Sequence, residues 1–174
     1  MLSRHTGFAR PYDQNPYVRY DASGQQPFLY SGRLDPRLPP LERVETITAG
    51  GHTVVVPFDI LRRHRATAVK VGGQRAVIFF DPDVTSALDA SEMRASRAVG
   101  TAAAFDPHLD GRTLSFAAAT PGVAVDAQTG SHWDITGHAI SGPFRGARLR
   151  SLHDLQAFWF AVAAFLPNAR LIEP

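Results

Sequence analysis

Short apolar and polar stretches alternate along most of the chain, and turn residues divide them. Val44–Thr48, Ala49-Gly50-Gly51 and His52–Val56 read as a hairpin, because paired glycines supply the positive φ of a tight turn. Pro57–Leu61 predicts a short helix with Pro57 at its start. Ala66–Val71, Gly72-Gly73 and Gln74–Phe80 form a second hairpin. Within it Ala76-Val77-Ile78-Phe79-Phe80 is apolar on both faces, which predicts a central strand. Ser86–Arg97 is expected to be partly helical. Further strands are predicted at Gly100–Phe105, Arg112–Ala118, Val123–Asp126, Ser131–Ile135, His138–Ile140 and Ala147–Leu152. Leu155, Phe158, Trp159, Val162, Phe165 and Leu166 then recur at three- and four-residue spacing. That period predicts one amphipathic helix over 154–166, with Ser151 and Asp154 as a capping pair and Pro167 as its stop. A last strand over 170–172 is expected to pair back onto the sheet.

Residues 1–43 carry no such period. They hold all four tyrosines of the chain together with Phe8 and Phe28, whereas disordered tails are poor in aromatics. This stretch is therefore expected to be an extended, ordered arm packed on a single β-rich domain of residues 44–174, with its rings as anchors. The expected fold class is mainly β (α+β): a bent antiparallel sheet or partly closed barrel with one C-terminal amphipathic helix.

With 174 residues, 44% of them hydrophobic, the chain is long enough to bury one core. Fourteen Gly and 13 Pro agree with many short strands and turns. Cysteine is absent, which excludes disulfides, thiolate nucleophiles and thiolate metal ligands. Of 18 basic residues only Lys70 is lysine, and no dense basic run occurs, so nucleic acid is not an expected partner. No apolar run is long enough to span a membrane. The start MLSRHTGF lacks an apolar signal core. The expected location is thus cytoplasmic, or the cell envelope if an export segment precedes this start.

The order of several motifs resembles a bacterial and archaeal family, domain of unknown function 3179. The landmarks are VVVPFDIL at 54–61, the strand and loop of 72–87, FDPHLDGRTLSF at 105–116, DAQTGSHW at 126–133, GHAISGPFRGARL at 137–149 and the segment 158–167. The start LSRHTGFARPYDQNPYVRY resembles an arm of a cysteine-less branch. Typical members carry a Cys-Pro-x-Cys loop after the central strand. Here Asp81 and Val84 stand at the cysteine positions of Asp81-Pro82-Asp83-Val84. Typical members also place Asn-Asp four residues after a histidine. Here His64 is followed at that spacing by Ala68 and Val69. The resemblance implies an envelope location for many members, but thiol chemistry does not carry over. Trp133, Gly137 and Gly142 do match.

Candidate chemistry is sparse. Asp81 and Asp83 at a strand end could act as acid and base or bind a cation, with His64 as a further candidate; Asp-Pro-Asp is also ordinary turn chemistry. His132 and Asp134 would share one strand face, and with His138 they form a weak nitrogen and oxygen metal set, or simply a polar outer face. Tyr12, Tyr17 and Tyr20 of the arm, with Trp133, are candidates for ligand contact; the same rings could merely cover the sheet. No P-loop, dinucleotide fingerprint, EF-hand loop or Gly-x-Ser-x-Gly elbow appears, and no cofactor is predicted. Two readings stay open: a β-domain that binds a small ligand or a protein partner without thiol chemistry, and a metal-assisted enzyme using Asp and His near residues 81–83. A purely structural role in an oligomer is a third.

Overall fold

The computed structural model describes residues 7, 15, 17–22 and 24–173. Along the chain run β1 (Arg43–Ala49), β2 (His52–Pro57), α1 (Phe58–His64), β3 (Ala66–Val71), β4 (Gln74–Asp81) and β5 (Thr101–Asp106). The hairpin β6 (His108–Leu109) and β7 (Arg112–Thr113) follows, then β8 (Phe116–Thr120), β9 (Val123–Asp126), β10 (His132–Asp134) and β11 (Ala139–Ser141). Last come β12 (Arg150–Ser151), β13 (His153–Phe158), α2 (Trp159–Phe165) and β14 (Arg170–Leu171).

The described strands form three four-stranded sheets and a two-stranded ribbon: β13-β1-β2-β14, β12-β5-β4-β3, β11-β10-β9-β8, and β6-β7. None closes into a barrel; the fold is mainly β with open sheets. The three sheets stack as layers. Ile47, Val54 and Val56 of the first sheet meet Ile78, Phe80, Ala102 and Ala104 of the second, with Phe58, Ile60 and Leu61 of α1 closing the gap. On the second sheet's opposite face, Val77, Phe79 and Phe105 meet Ala124, Trp133 and Ala139 of the third. The first sheet's outer face packs Val44 and Val55 on Trp159 and Val162 of α2. The alternation of a pleated strand explains β4: odd and even residues enter different cores, so the run 76–80 is apolar throughout. Each large side chain buried this way contributes about 1.5–3 kcal/mol.

α1 begins at Pro57, as expected. Asp59 lies in its first turn and Arg62, Arg63 and His64 in its last, each sign matching the helix dipole. Arg65 ends it in the left-handed region at φ 36°, its N–H donating to the Leu61 carbonyl.

The helix expected over 154–166 is half as long. Its first part is β13, antiparallel to β1 from Arg43↔Phe158 to Thr48↔His153. Asp154 does not cap a helix; its Oδ2 accepts the Ala104 N–H at 2.7 Å. Gln156 Nε2 donates to the Ala102 carbonyl at 2.7 Å. Two polar side chains of β13 thus bond to the backbone of β5 and join the first two sheets, which only an extended strand permits. Leu155 and Phe165, counted on the apolar face, are 58% and 84% exposed. α2 starts at Trp159, where the N–H groups of Trp159 and Phe160 donate to the Glu42 and Pro40 carbonyls at 2.8 and 2.9 Å. Those donors have no partner within the helix, so chain 40–42 serves as its cap.

Three smaller expectations also change. The strand expected at 112–118 breaks at the buried Leu114, so that 112–113 pairs with β6 and 116–120 with β9. Of 86–97, only Met93–Ala95 forms a 3₁₀ turn. Of 147–152, only Arg150–Ser151 is strand. The last strand does return, pairing parallel to β2. Among the described residues no helix is long and apolar enough to cross a membrane.

Candidate functional site

Residues 17–22 lie against the loop that follows β4. The N–H groups of Arg19 and Tyr20 donate to the Asp89 and Leu88 carbonyls at 2.8 and 3.1 Å. Asp21 is the hub of this junction and is 7% exposed. Its Oδ2 accepts from Arg43 Nη2 and Ser86 Oγ, each at 2.7 Å. Its Oδ1 lies 2.8 Å from Arg97 Nη2, an ion pair without hydrogen-bond alignment. Arg97 Nη2 also donates to the Asp21 carbonyl. Burial pushes the Asp21 carboxyl up, but the bonds from Arg43 and Ser86 and the charge of Arg97 outweigh it and hold it below the ordinary range.

Beside this hub a cleft of about 440 Å³ opens between residues 21–22, 24–26, 39–43, the start of α1 and 97–99. Pro39, Pro40, Leu41 and Phe58 supply apolar wall. The cleft carries three arginines and three acids, and these are unequally engaged. Arg43 and Arg97 are held by Asp21. Arg62 Nη2 donates to the Val99 carbonyl at 3.0 Å, and its guanidinium lies 5.7 Å from the centre of the Phe80 ring. Glu42 and Asp59 have no side-chain hydrogen bond or ion pair among the described residues. Burial raises the Glu42 carboxyl above its ordinary value, and the negative charge of Asp59 raises it further; Arg62 and Arg43 offset this only in part. A cleft with apolar walls, convergent polar groups and a perturbed carboxyl has the usual features of a small-molecule site.

The residues singled out from sequence lie elsewhere. Asp81 ends β4, where its Oδ1 accepts the Asp83 N–H at 3.0 Å, a turn contact. Its Oδ2 lies 2.9 Å from where a Cβ on Gly122 would stand. Asp83 is exposed, and His64 is exposed at the end of α1. Trp133 is fully buried, its Nε1 donating to Asp126 Oδ2 at 2.9 Å. Asp134 Oδ1 accepts from the Thr136 hydroxyl at 2.7 Å and from the His138 N–H at 3.1 Å, organising a turn. His132 is half-buried on the same strand. Among the described residues no three His, Asp or Glu side chains converge to hold a metal ion. Neither Asp81 and Asp83 with the histidines nor His132, Asp134 and His138 therefore assemble as a metal centre there.

Tyr17 and Tyr20 join Phe28 in an aromatic cluster, with centroids 5.0–6.2 Å apart. Tyr20 also lies edge-on to Phe158 of β13 at 6.0 Å. Tyr12 and Phe8 lie outside the described residues. Sequence reasoning did not single out Asp21, Glu42, Asp59 or Arg62. The one local signal is Asp59 and Arg62 at i,i+3 on α1, which places them on one face. The others meet only through tertiary packing.

A family model described as protein of unknown function (DUF3179) matches residues 1–169, and the chain belongs to that family. No curated protein and no solved structure matches it.

Proposed function

We propose that this chain is a small-molecule-binding β-domain whose site is the cleft between residues 21–22, 24–26, 39–43 and α1, and whose ligand is an organic amine. The observation that carries the reading is how the charges there are engaged. Arg43 and Arg97 are held by Asp21 and Arg62 donates to the Val99 carbonyl, while Glu42 and Asp59, which feel each other's charge, have no side-chain hydrogen bond or ion pair among the described residues. An ammonium group between them would relieve that repulsion, and the proline and phenylalanine walls would hold its carbon chain. Binding removes the cost of bringing the two acids together, which is differential affinity of the kind that gives specificity.

The test is isothermal titration with a panel of alkylamines and diamines, set against neutral alcohols of the same length. Saturable binding of an amine that is lost in Glu42→Gln and Asp59→Asn, with melting temperatures maintained, supports the reading. Equal binding of the alcohols, or full binding by both variants, overturns it. Ionised Glu42 is the form that attracts the ammonium. Amine affinity is therefore expected to rise with pH through that carboxyl's elevated value.

A further inference from the structure

On the far side of the second sheet, β3 and β8 are both edge strands, and a groove of about 410 Å³ runs between them. Its floor is apolar. Ala68 and Val77 pair across the β3–β4 ladder. Leu114, Phe116 and Pro107 form the opposite wall, and Thr113 and Ser115 add hydroxyls at the rim. At one end stand Lys70 and Arg75, directly opposite each other in the same ladder. Registers of even spacing put both on the face that carries Ala68 and Val77. Like charges directly opposite destabilise an antiparallel pair. Among the described residues no Asp or Glu lies within ion-pair distance of either cation, and no acidic residue lines the groove. The chain therefore keeps its single lysine and an arginine side by side above an apolar trough without neutralising them.

We propose that this groove is a second binding site, for an organic anion with an apolar body: a monocarboxylate on an aliphatic or aryl chain. The carboxylate would lie between the ammonium of Lys70 and the fork of Arg75, replacing repulsion by two charge-assisted hydrogen bonds. The body would cover Ala68, Val77, Leu114 and Phe116. The volume falls within the size range of small-ligand pockets, which begins at about 300 Å³. The site shares none of its residues with the amine cleft, so the two proposals stand or fall separately.

The experiment is calorimetric titration of the whole chain with octanoate, with octanol as the uncharged body and inorganic phosphate as the bare anion. Octanoate is expected to bind saturably at one site and to weaken at least about tenfold in Lys70→Gln/Arg75→Gln, the size of a lost hydrogen bond to a charged group. Both side chains are exposed and their repulsion is removed, so the double variant is expected to melt no lower than the parent and to keep any amine binding. Octanol and phosphate are expected to give no saturable heat. Four results would overturn the proposal: no saturable octanoate binding, unchanged affinity in the double variant, octanol binding as tightly as octanoate, or phosphate saturating the site alone.

Discussion

Replacing Glu45 by glutamine should stabilise this protein at neutral pH, and the gain should vanish in acid. Glu45 lies in the middle of β1 with no solvent exposure, and neither carboxyl oxygen has a partner among the described residues. Burial, and then the negative charge of Asp154, push its carboxyl up to about 9 from an ordinary value of 4.5. Glu45 is therefore a neutral acid in the folded chain, under the influence of the carboxylate of Asp154 that also receives the Ala104 N–H. Once unfolded it ionises near 4.5. Between these two values the native state holds one proton more, so stability is full below about pH 4.5 and falls as pH rises to about 9. Each pH unit removes about 1.4 kcal/mol, so by pH 7 the loss is about 3 kcal/mol. A Glu45→Gln side chain has the same shape and is uncharged at every pH, so it has no proton to lose. Urea unfolding of both proteins at several pH values measures the difference. The two should match near pH 4.5, and the variant should lead by about 3 kcal/mol at pH 7, which for a chain of this size is a melting temperature about 6–12 °C higher. A variant that is weaker at every pH, with the parent's slope, would refute the reasoning, because it would mean that Glu45 is ionised and paired.

Asp21→Asn should cost about 2 kcal/mol, since it weakens charge-assisted bonds at a buried hub, and should speed limited proteolysis before residue 43; an unchanged cleavage pattern contradicts the clamp. Asp21, Asp106, Asp126 and Asp134 are all held below the ordinary carboxylate range. The stability they contribute should therefore be present above about pH 4 and lost as pH falls through their lowered values, which acid unfolding of each Asp→Asn variant measures. Gly137→Ala should cost about 1–3 kcal/mol, because φ is +78° and a Cβ would stand 2.5 Å from the Phe105 ring; a melting temperature equal to the parent's contradicts this. Trp133→Phe should cost about 2–3 kcal/mol for the lost bond to the buried Asp126 carboxylate and the space left by the indole, and the remaining tryptophan fluorescence should report Trp159 alone.

Several strands were legible where a short apolar run met a glycine turn, although the one expected at 112–118 after Gly111 is split at Leu114. Ala66–Val71 and Val123–Asp126 match their predicted bounds, and the doubly apolar β4 is the centre of the molecule. The misreading at 154–158 has a definite cause. Leu155, Phe158 and Trp159 fit a helical period, but Asp154 and Gln156 bond to the backbone of β5, some fifty residues away in sequence, and no local pattern encodes that contact. The candidate sites were less legible for a related reason. Asp81, Asp83, Asp134 and His138 drew attention because they cluster in sequence, and clustering of that kind is what turns require. Glu42 and Asp59, or Lys70 and Arg75, acquire meaning only when strands are set in register or a helix packs over a proline segment.

The first sheet draws two strands from residues 43–57 and two from residues 153–171. As the chain emerges from the ribosome, β1 and β2 would therefore wait unaccompanied on one side until synthesis is almost done. Their Val44 and Val55 would stay bare to solvent until α2 arrives, and Val55 would also lack the partner strand that β14 supplies. Closure at such long separation is slow, and exposed apolar strands in the interim are prone to pair with other chains. Nascent polypeptide halted before residue 153 should be a chaperone client, whereas the third sheet is built from strands consecutive in the chain, and β3, β4 and β5 of the second sheet also follow one another.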